Sequence, residues 1–441
     1  MVDPSVQASG RKSLLERFFS LFSDISSGEG RTVLLLFLNA FIMMGLYYIL
    51  KPVREGLILS GFGAVIKSYS SAAQALLFVF VVPLYGAFAA RVSRVWLLSG
   101  MTLFFISNLL LFAFALSAGS NIGVLYYIWL GIFNFMIVSQ FWAFANDIYT
   151  EQQGKRLFPV VGIGASSGAL VGAWLTAVAF ERMTNESLLI LASILLGLFI
   201  LLIVWVDRRE VGTTSELPET SQKLSKEGGF KLVLGNRYLL LIAFYVLILN
   251  LVNTVGEFIL GSFFEQYAID QIGAGEALRA SRGEFIRTLY GEFFGWVNLI
   301  GLLIQSFLVS RFIKYLGVRG SLFIGPLMSL VTYGTTAFQP VLNIVRNMKV
   351  VENSNDYSTN NTVRAALFLP TSRDVKYKDK AAIDTFFGRA GDALQALVIF
   401  VGTRLAFAIP AFAIVNVIFV GVWLLVCGGI VREHKKLTEE A

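Results

Sequence analysis

The chain has 441 residues, 56% hydrophobic and only 15% charged, with 39 phenylalanines and a mean hydropathy of +0.70. A soluble domain carries about a quarter charged residues, so that class is excluded. One cysteine, Cys427, and one histidine, His434, rule out an internal disulfide and leave no Cys/His metal set, so neither metal nor cofactor is expected. The net charge of +7 is explained below by loop placement rather than by a nucleic-acid partner.

The apolar residues fall in blocks of about 20, enough to cross roughly 30 Å of hydrocarbon as helices and too continuous for barrel strands. The expected fold is an all-α polytopic membrane protein, since helices satisfy their own backbone groups in lipid. Residues 1–30 form a cytoplasmic segment without a signal-peptide core. Within it "SLLERFFSLF" sets Leu14, Leu15, Phe18, Phe19 and Phe22 beside Arg11, Lys12 and Arg17, the pattern of a short helix lying on the membrane surface.

Spans follow near 31–50, 64–90, 95–117, 122–145, 158–180 and 187–206, a first six-helix half over 31–206. The polar stretch 207–237 reads as a cytoplasmic linker. Six more spans near 238–260, 286–312, 318–338, 341–367, 385–409 and 411–431 make a second half over 238–431, and 432–441 is a cytoplasmic tail. With the N-terminus inside, one face collects Arg91, Arg94, Lys155, Arg156, Arg311, Lys314, Arg319, Arg373, Lys376, Lys378, Lys380 and the tail. The other face collects Lys51, Arg54, Lys67, Arg182, Arg279, Arg282 and Arg287. The positive-inside rule then puts both termini in the cytoplasm of a bacterial inner-membrane protein. The very polar stretch 341–367 is required as a span, because without it the basic loop 373–380 and the tail change sides.

Twelve helices in two halves of six, with a central cytoplasmic loop, point to the major facilitator architecture. "GAFAARVSR" (86–94) resembles that superfamily's G-x-x-x-D-R-x-G-R turn, with Ala90 at the usual Asp. "SRFIKYLGVR" (310–319) holds the equivalent place in the second half. There the first helix of each three-helix unit lines the cavity, and here the buried polar residues concentrate in those four spans. They are Asn39, Tyr47, Tyr48, Lys51 and Arg54; Asn134, Gln140 and Asn146; Asn250, Asn253 and Glu257; and Arg346, Lys349, Asn353, Asp356, Asn360 and Arg364. The last set recurs at steps of 3 and 4, which places it on one helical face. Each ionised residue at mid-depth costs at least about 2.5 kcal/mol against lipid, so the face meets water, protein or ligand. It either binds an anionic, hydrogen-bonding solute or pairs Lys349 and Arg364 with Glu352 and Asp356 to lock helices together.

Other features have plainer readings. "GIGASSGALVG" (162–172) departs from dinucleotide-loop spacing and lies in an apolar span, so it reads as close helix packing. The charged stretch 265–287 reads as a solvated outer loop. No P-loop and no nucleophile with a base is present, so an enzyme is not expected.

"FWAFANDIYTEQQGKRLFPVVGIGA" (141–165), "YYILKPVREGLIL" (47–59), "DYSTNNTVRAALFLP" with "KYKDKAAID" (356–384) and "GRAGDALQ" (388–395) resemble motifs of the ATP:ADP antiporter family, the nucleotide transporters of plastids and intracellular bacteria. "NLVNTVGE" (250–257) matches in part. The resemblance implies nucleotide exchange by alternating access, with ATP as cargo. It places the family's functional lysines on Arg54 and Arg389, and Asn253 where the family has Glu; span 4 offers Asn134 and no carboxylate near the family's acidic position. The expected substrate-binding set is Lys51, Arg54, Asn134, Asn250, Asn253, Lys349, Asn353, Asn360, Arg364 and Arg389, with Glu257, Glu352 and Asp356 as coupling or ion-pair residues. The expected partners are a nucleotide or other phosphorylated small molecule and the lipid bilayer, with the chain a monomer. The alternatives are a proton-coupled symporter of another organic anion and a non-transporting receptor or assembly protein of the same fold.

Overall fold

The computed structural model describes residues 28–89, 94–179, 182–210, 235–368 and 383–439, with positions 16, 17, 20, 25, 26 and 371. The amphipathic stretch around 14–22, most of the linker and the basic loop 373–380 lie outside the described residues. Every described element is helical. In chain order these are α1 Gly30–Ala89, α2 Arg94–Ser117, α3 Gly123–Ile148, α4 Glu151–Trp174, α5 Asn185–Glu210, α6 Arg237–Ile272, α7 Arg279–Leu303, α8 Val309–Ser321, α9 Ile324–Phe338, α10 Leu342–Asn355, α11 Asn361–Leu367, α12 Gly388–Arg404 and α13 Ile409–Glu439. Among the described residues, eight stretches are long and apolar enough to cross a membrane.

Two of those stretches are divided by glycine. In α1 the backbone turns at Gly63 (φ 80°, ψ 171°), and in α8 at Gly317 (φ 66°, ψ 175°). Side-chain-bearing residues are strained at such positive φ, so glycine marks where the chain redirects. The first arm of α1 runs to residue 62, beyond the end expected at 50. Lys51 and Arg54, counted above as outer-loop charges, are therefore helical, and Lys67 sits in the second arm, buried. Hydropathy ends a span at the first charge, whereas the helix continues because these charges are paired within the protein.

The chain forms two compact units, one of residues 1–51, 84–120 and 130–220, the other of residues 52–83, 121–129 and 221–441. In the first unit α2 packs along α5. There α4 meets the first arm of α1 through Gly164, Gly168 and Gly172, spaced one per turn. A Cβ on Gly168 would stand 2.1 Å from the Phe41 carbonyl oxygen, and on Gly172 2.1 Å from that of Gly45. The glycine-rich stretch is thus a helix contact, made of small residues because backbones touch there.

In the second unit α6 lies against α12 and α13, α9 against α10 and α13, and α10 against α7. The stretch 265–287, expected as a solvated loop, is mostly the end of α6 and the start of α7. Glu265 accepts from the Ala64 N–H at 2.8 Å, just past the Gly63 turn. Buried Arg282 donates to the carbonyl oxygens of Gly273 and Gly275 at 2.8 and 2.7 Å. Turns leave backbone groups without helical partners, and these charged side chains satisfy them.

Candidate functional site

The polar stretch of the tenth expected span is helical from 342 to 367, roughly 39 Å at the α-helical rise, with a π-helical turn at Asp356–Asn360 between α10 and α11. That turn inserts a residue, so Arg364 no longer continues the face that carries Lys349 and Asn353. Lys349, Glu352, Asn353, Ser354 and Asn355 are buried in the second unit. The Lys349 ammonium donates to Glu352 Oε2 at 2.7 Å, Asn253 Oδ1 at 3.2 Å and the Tyr333 hydroxyl at 3.3 Å. Glu352 also accepts from Ser329 at 2.7 Å and from Tyr333 at 2.9 Å. Asn353 donates to Glu257 Oε1 at 2.9 Å. Gly256 makes room for this crossing, since a Cβ there would lie 1.9 Å from the Tyr333 hydroxyl and 2.8 Å from Lys349 Nζ.

Beyond this network Asn360 donates to Asp356 at 3.3 Å. Asp356, Asn360, Glu352, Asn253, Ser329 and Trp423 line a closed polar cavity with space for about one water molecule. The Arg364 guanidinium donates to Asn361 Oδ1 at 3.3 Å, and Arg346 pairs with Glu292 at 2.6 Å.

A second cluster of the same unit surrounds Arg54. Its guanidinium pairs with Glu55 through Nε at 3.0 Å and through a closer Nη2 contact, and it lies 4.4 Å over the Tyr127 ring. Glu55, 1% exposed, places its other oxygen 2.6 Å from Lys67 Nζ. Lys67 in turn reaches the Tyr290 hydroxyl at 3.4 Å. α7 comes this close because glycine meets glycine: a Cβ on Gly56 would stand 2.2 Å from the Gly283 carbonyl oxygen. Arg389 is built alike, 3.1 Å from Asp392 and 4.6 Å over the Phe78 ring, with 37% of its side chain exposed. A ring on one face and a carboxylate on one edge hold a planar guanidinium in a fixed pose, which suits bidentate oxyanion contacts.

The structure thus brings Asn253, Glu257, Lys349, Glu352, Asn353, Asp356 and Asn360 into one region, and sets Arg54 and Arg389 in two similar cradles. Asn250 donates to the Val246 carbonyl at 2.8 Å and packs against Gly391. Asn134 and Lys51 belong to the first unit, Lys51 lying 5.3 Å from the Tyr48 ring. Glu55, Tyr127, Tyr290, Tyr333, Ser329 and Asp392 were not expected. Glu55 and Lys67 carried a usable signal, two opposite charges inside apolar sequence, but the Gly63 turn between them hides the pairing from helical periodicity.

This chain is 24% identical over 329 residues to ADP,ATP carrier protein 1 of Chlamydia pneumoniae, covering 66% of this chain and 63% of that protein. It is 24% identical to the chloroplastic ADP,ATP carrier protein 1 of Arabidopsis thaliana, covering 72% and 55%. The matches span less than two thirds of these relatives' own lengths. In fold it is similar to the nucleoside transporter NupG, at 12% identity and a TM-score of 0.62 over 90% of this chain and 98% of that one. It is similar also to the peptide transporter POT in complex with sulfate, at 12% identity and a TM-score of 0.61 over 95% and 99%. The profile of the Major Facilitator Superfamily matches residues 14–346. An all-helical membrane chain with that match and those relatives belongs to the Major Facilitator Superfamily and is similar in sequence to its ADP,ATP carriers.

Proposed function

We propose that this chain exchanges nucleotides of the ATP and ADP type across a bacterial inner membrane by alternating access, through twelve spans with both termini cytoplasmic. The observation that supports this most is the paired construction of Arg54 and Arg389, each fixed by a ring and a carboxylate, in a chain whose curated relatives are ADP,ATP carriers. The two guanidinium groups are the phosphate ligands. Asn250, Asn253, Asn353 and Asn360 supply donors and acceptors for ribose, base or water, and Lys51, Asn134, Lys349 and Arg364 complete the polar lining. The test is uptake of labelled ATP and ADP into liposomes holding the purified chain, with and without unlabelled nucleotide inside. Uptake that depends on internal nucleotide is expected, and uptake of no nucleotide overturns the reading.

A second reading, proton-coupled transport of another organic anion, is favoured by one observation: Glu352 and Asp356 line a cavity with space for about one water. It predicts uptake driven by a pH gradient into liposomes that contain no counter-substrate.

A further inference from the structure

The Arg54 cluster carries an inference that rests on the phosphate-bearing cargo proposed above. An arriving phosphate finds Arg54 already held by Glu55, so binding requires that carboxylate to give way. Glu55 is 1% exposed, and a buried carboxylate stripped of its cation is strongly disfavoured. Glu55, however, uses its two oxygens on different partners, Oε1 on Arg54 and Oε2 on Lys67 at 2.6 Å. It can therefore release Arg54 and remain paired.

The surroundings suit that exchange. The Tyr127 ring holds the guanidinium in place from a different direction, so Arg54 keeps its pose when the carboxylate leaves. Lys67 is steadied by Tyr290 and interacts electrostatically with Glu257, so the second cation is fixed too. Arg389 is served differently, since Asp392 lies on its own helix and the guanidinium is more exposed.

We propose that Glu55 is a positioning residue that stands in for the cargo phosphate: it holds Arg54 in the empty site and shifts its charge onto Lys67 when a phosphate oxygen takes Arg54. Glu55 and Lys67 lie on opposite sides of the Gly63 turn, so loading strengthens the tie between the two arms of α1. A bridge that only pins the arms together predicts a different outcome, in which loss of Glu55 lowers stability and cargo binding alike.

The test uses the full chain in detergent and in liposomes, with ADP and inorganic pyrophosphate as probes. Glu55→Gln removes the competing charge and leaves both cations, so ADP and pyrophosphate bind about tenfold more tightly, on the scale of one charged contact, while maximal exchange falls because release slows. Glu55→Asp restores wild-type behaviour in part. Lys67→Met leaves Glu55 wholly on Arg54 and weakens binding about tenfold. If E55Q does not fold, the weakening in K67M decides, and unchanged binding there overturns the proposal. A wild-type ADP response that E55Q leaves unchanged or weakens overturns the stand-in role alone. No response to ADP in wild type and variants overturns the nucleotide reading together with it.

Discussion

Lys349 is 1% exposed and donates to a carboxylate, an amide and a phenol, so its removal leaves Glu352 as an uncompensated buried charge. Lys349→Met is expected to destabilise the chain by about 3–5 kcal/mol, whereas Lys349→Met with Glu352→Met recovers much of the loss. Thermal unfolding of the purified variants reads both; equal losses in the single and double variants contradict the pairing. For Arg54 and Arg389 the expected effect is on transport. Arg54→Ala and Arg389→Ala should each lower nucleotide exchange at least about tenfold with membrane insertion intact, and Arg389→Lys should recover only part, because an ammonium lacks the planar fork. The Lys349 to Glu352 spacing was readable as helix geometry. Tyr333 and Ser329, which complete that network from α9, were not, because no local pattern announces which apolar helix will face a charge.

At the scale of elements, the α1 and α4 contact is set by the absence of side chains. Gly168→Leu would drive a side chain into the Phe41 carbonyl, 2.1 Å from the Cβ position, and backbone cannot yield there as a flexible side chain can. The expected result is a lower unfolding temperature and poor yield, while Gly162→Leu, which meets nothing within 4 Å, behaves as wild type. The same two helices are joined at one end by Glu29. It accepts from Arg156 at 2.8 Å, the Ser26 N–H at 2.9 Å and Gln153 at 3.3 Å. Burial raises its carboxyl pKa, but Arg156 and the donated hydrogen bonds outweigh burial and hold it below the ordinary 4.5. A depressed folded-state pKa means stability that is present above that ordinary value and lost as pH falls through the folded one. Glu29→Gln should therefore match wild type at pH 4 and below more closely than at pH 7, where it is less stable by about 1 kcal/mol at most for so accessible a pair. Unfolding midpoints at the two pH values check the sign. The small-residue contact was legible from glycine spacing alone; the Glu29 tie was not, since its partners lie more than a hundred residues away.

For the whole molecule, hydropathy by itself finds eight apolar stretches, and the remaining crossings are hidden for identifiable reasons. The Gly63 and Gly317 turns divide two long stretches, and the helices over 342–367 and 383–404 are too polar or too short in apolar run to register. The balance of basic residues did detect the stretch 341–367 as a span, because topology counts crossings rather than apolarity. This leads to a definite labelling pattern. Ser215→Cys in the linker, Ser372→Cys in the basic loop and Thr438→Cys in the tail are expected on one side of the membrane, and Ala274→Cys, between α6 and α7, on the other. The native Cys427 is buried and contributes little background. In intact cells a membrane-impermeant maleimide should modify only the Ala274→Cys variant, and after lysis all four. If the 342–367 helix does not cross, Ser372→Cys and Thr438→Cys both become accessible from outside while Ser215→Cys stays protected. The polar helix, with Lys349 and Glu352 paired inside it, would then have to find its place at the membrane surface, where burying that pair gains nothing over leaving it in water.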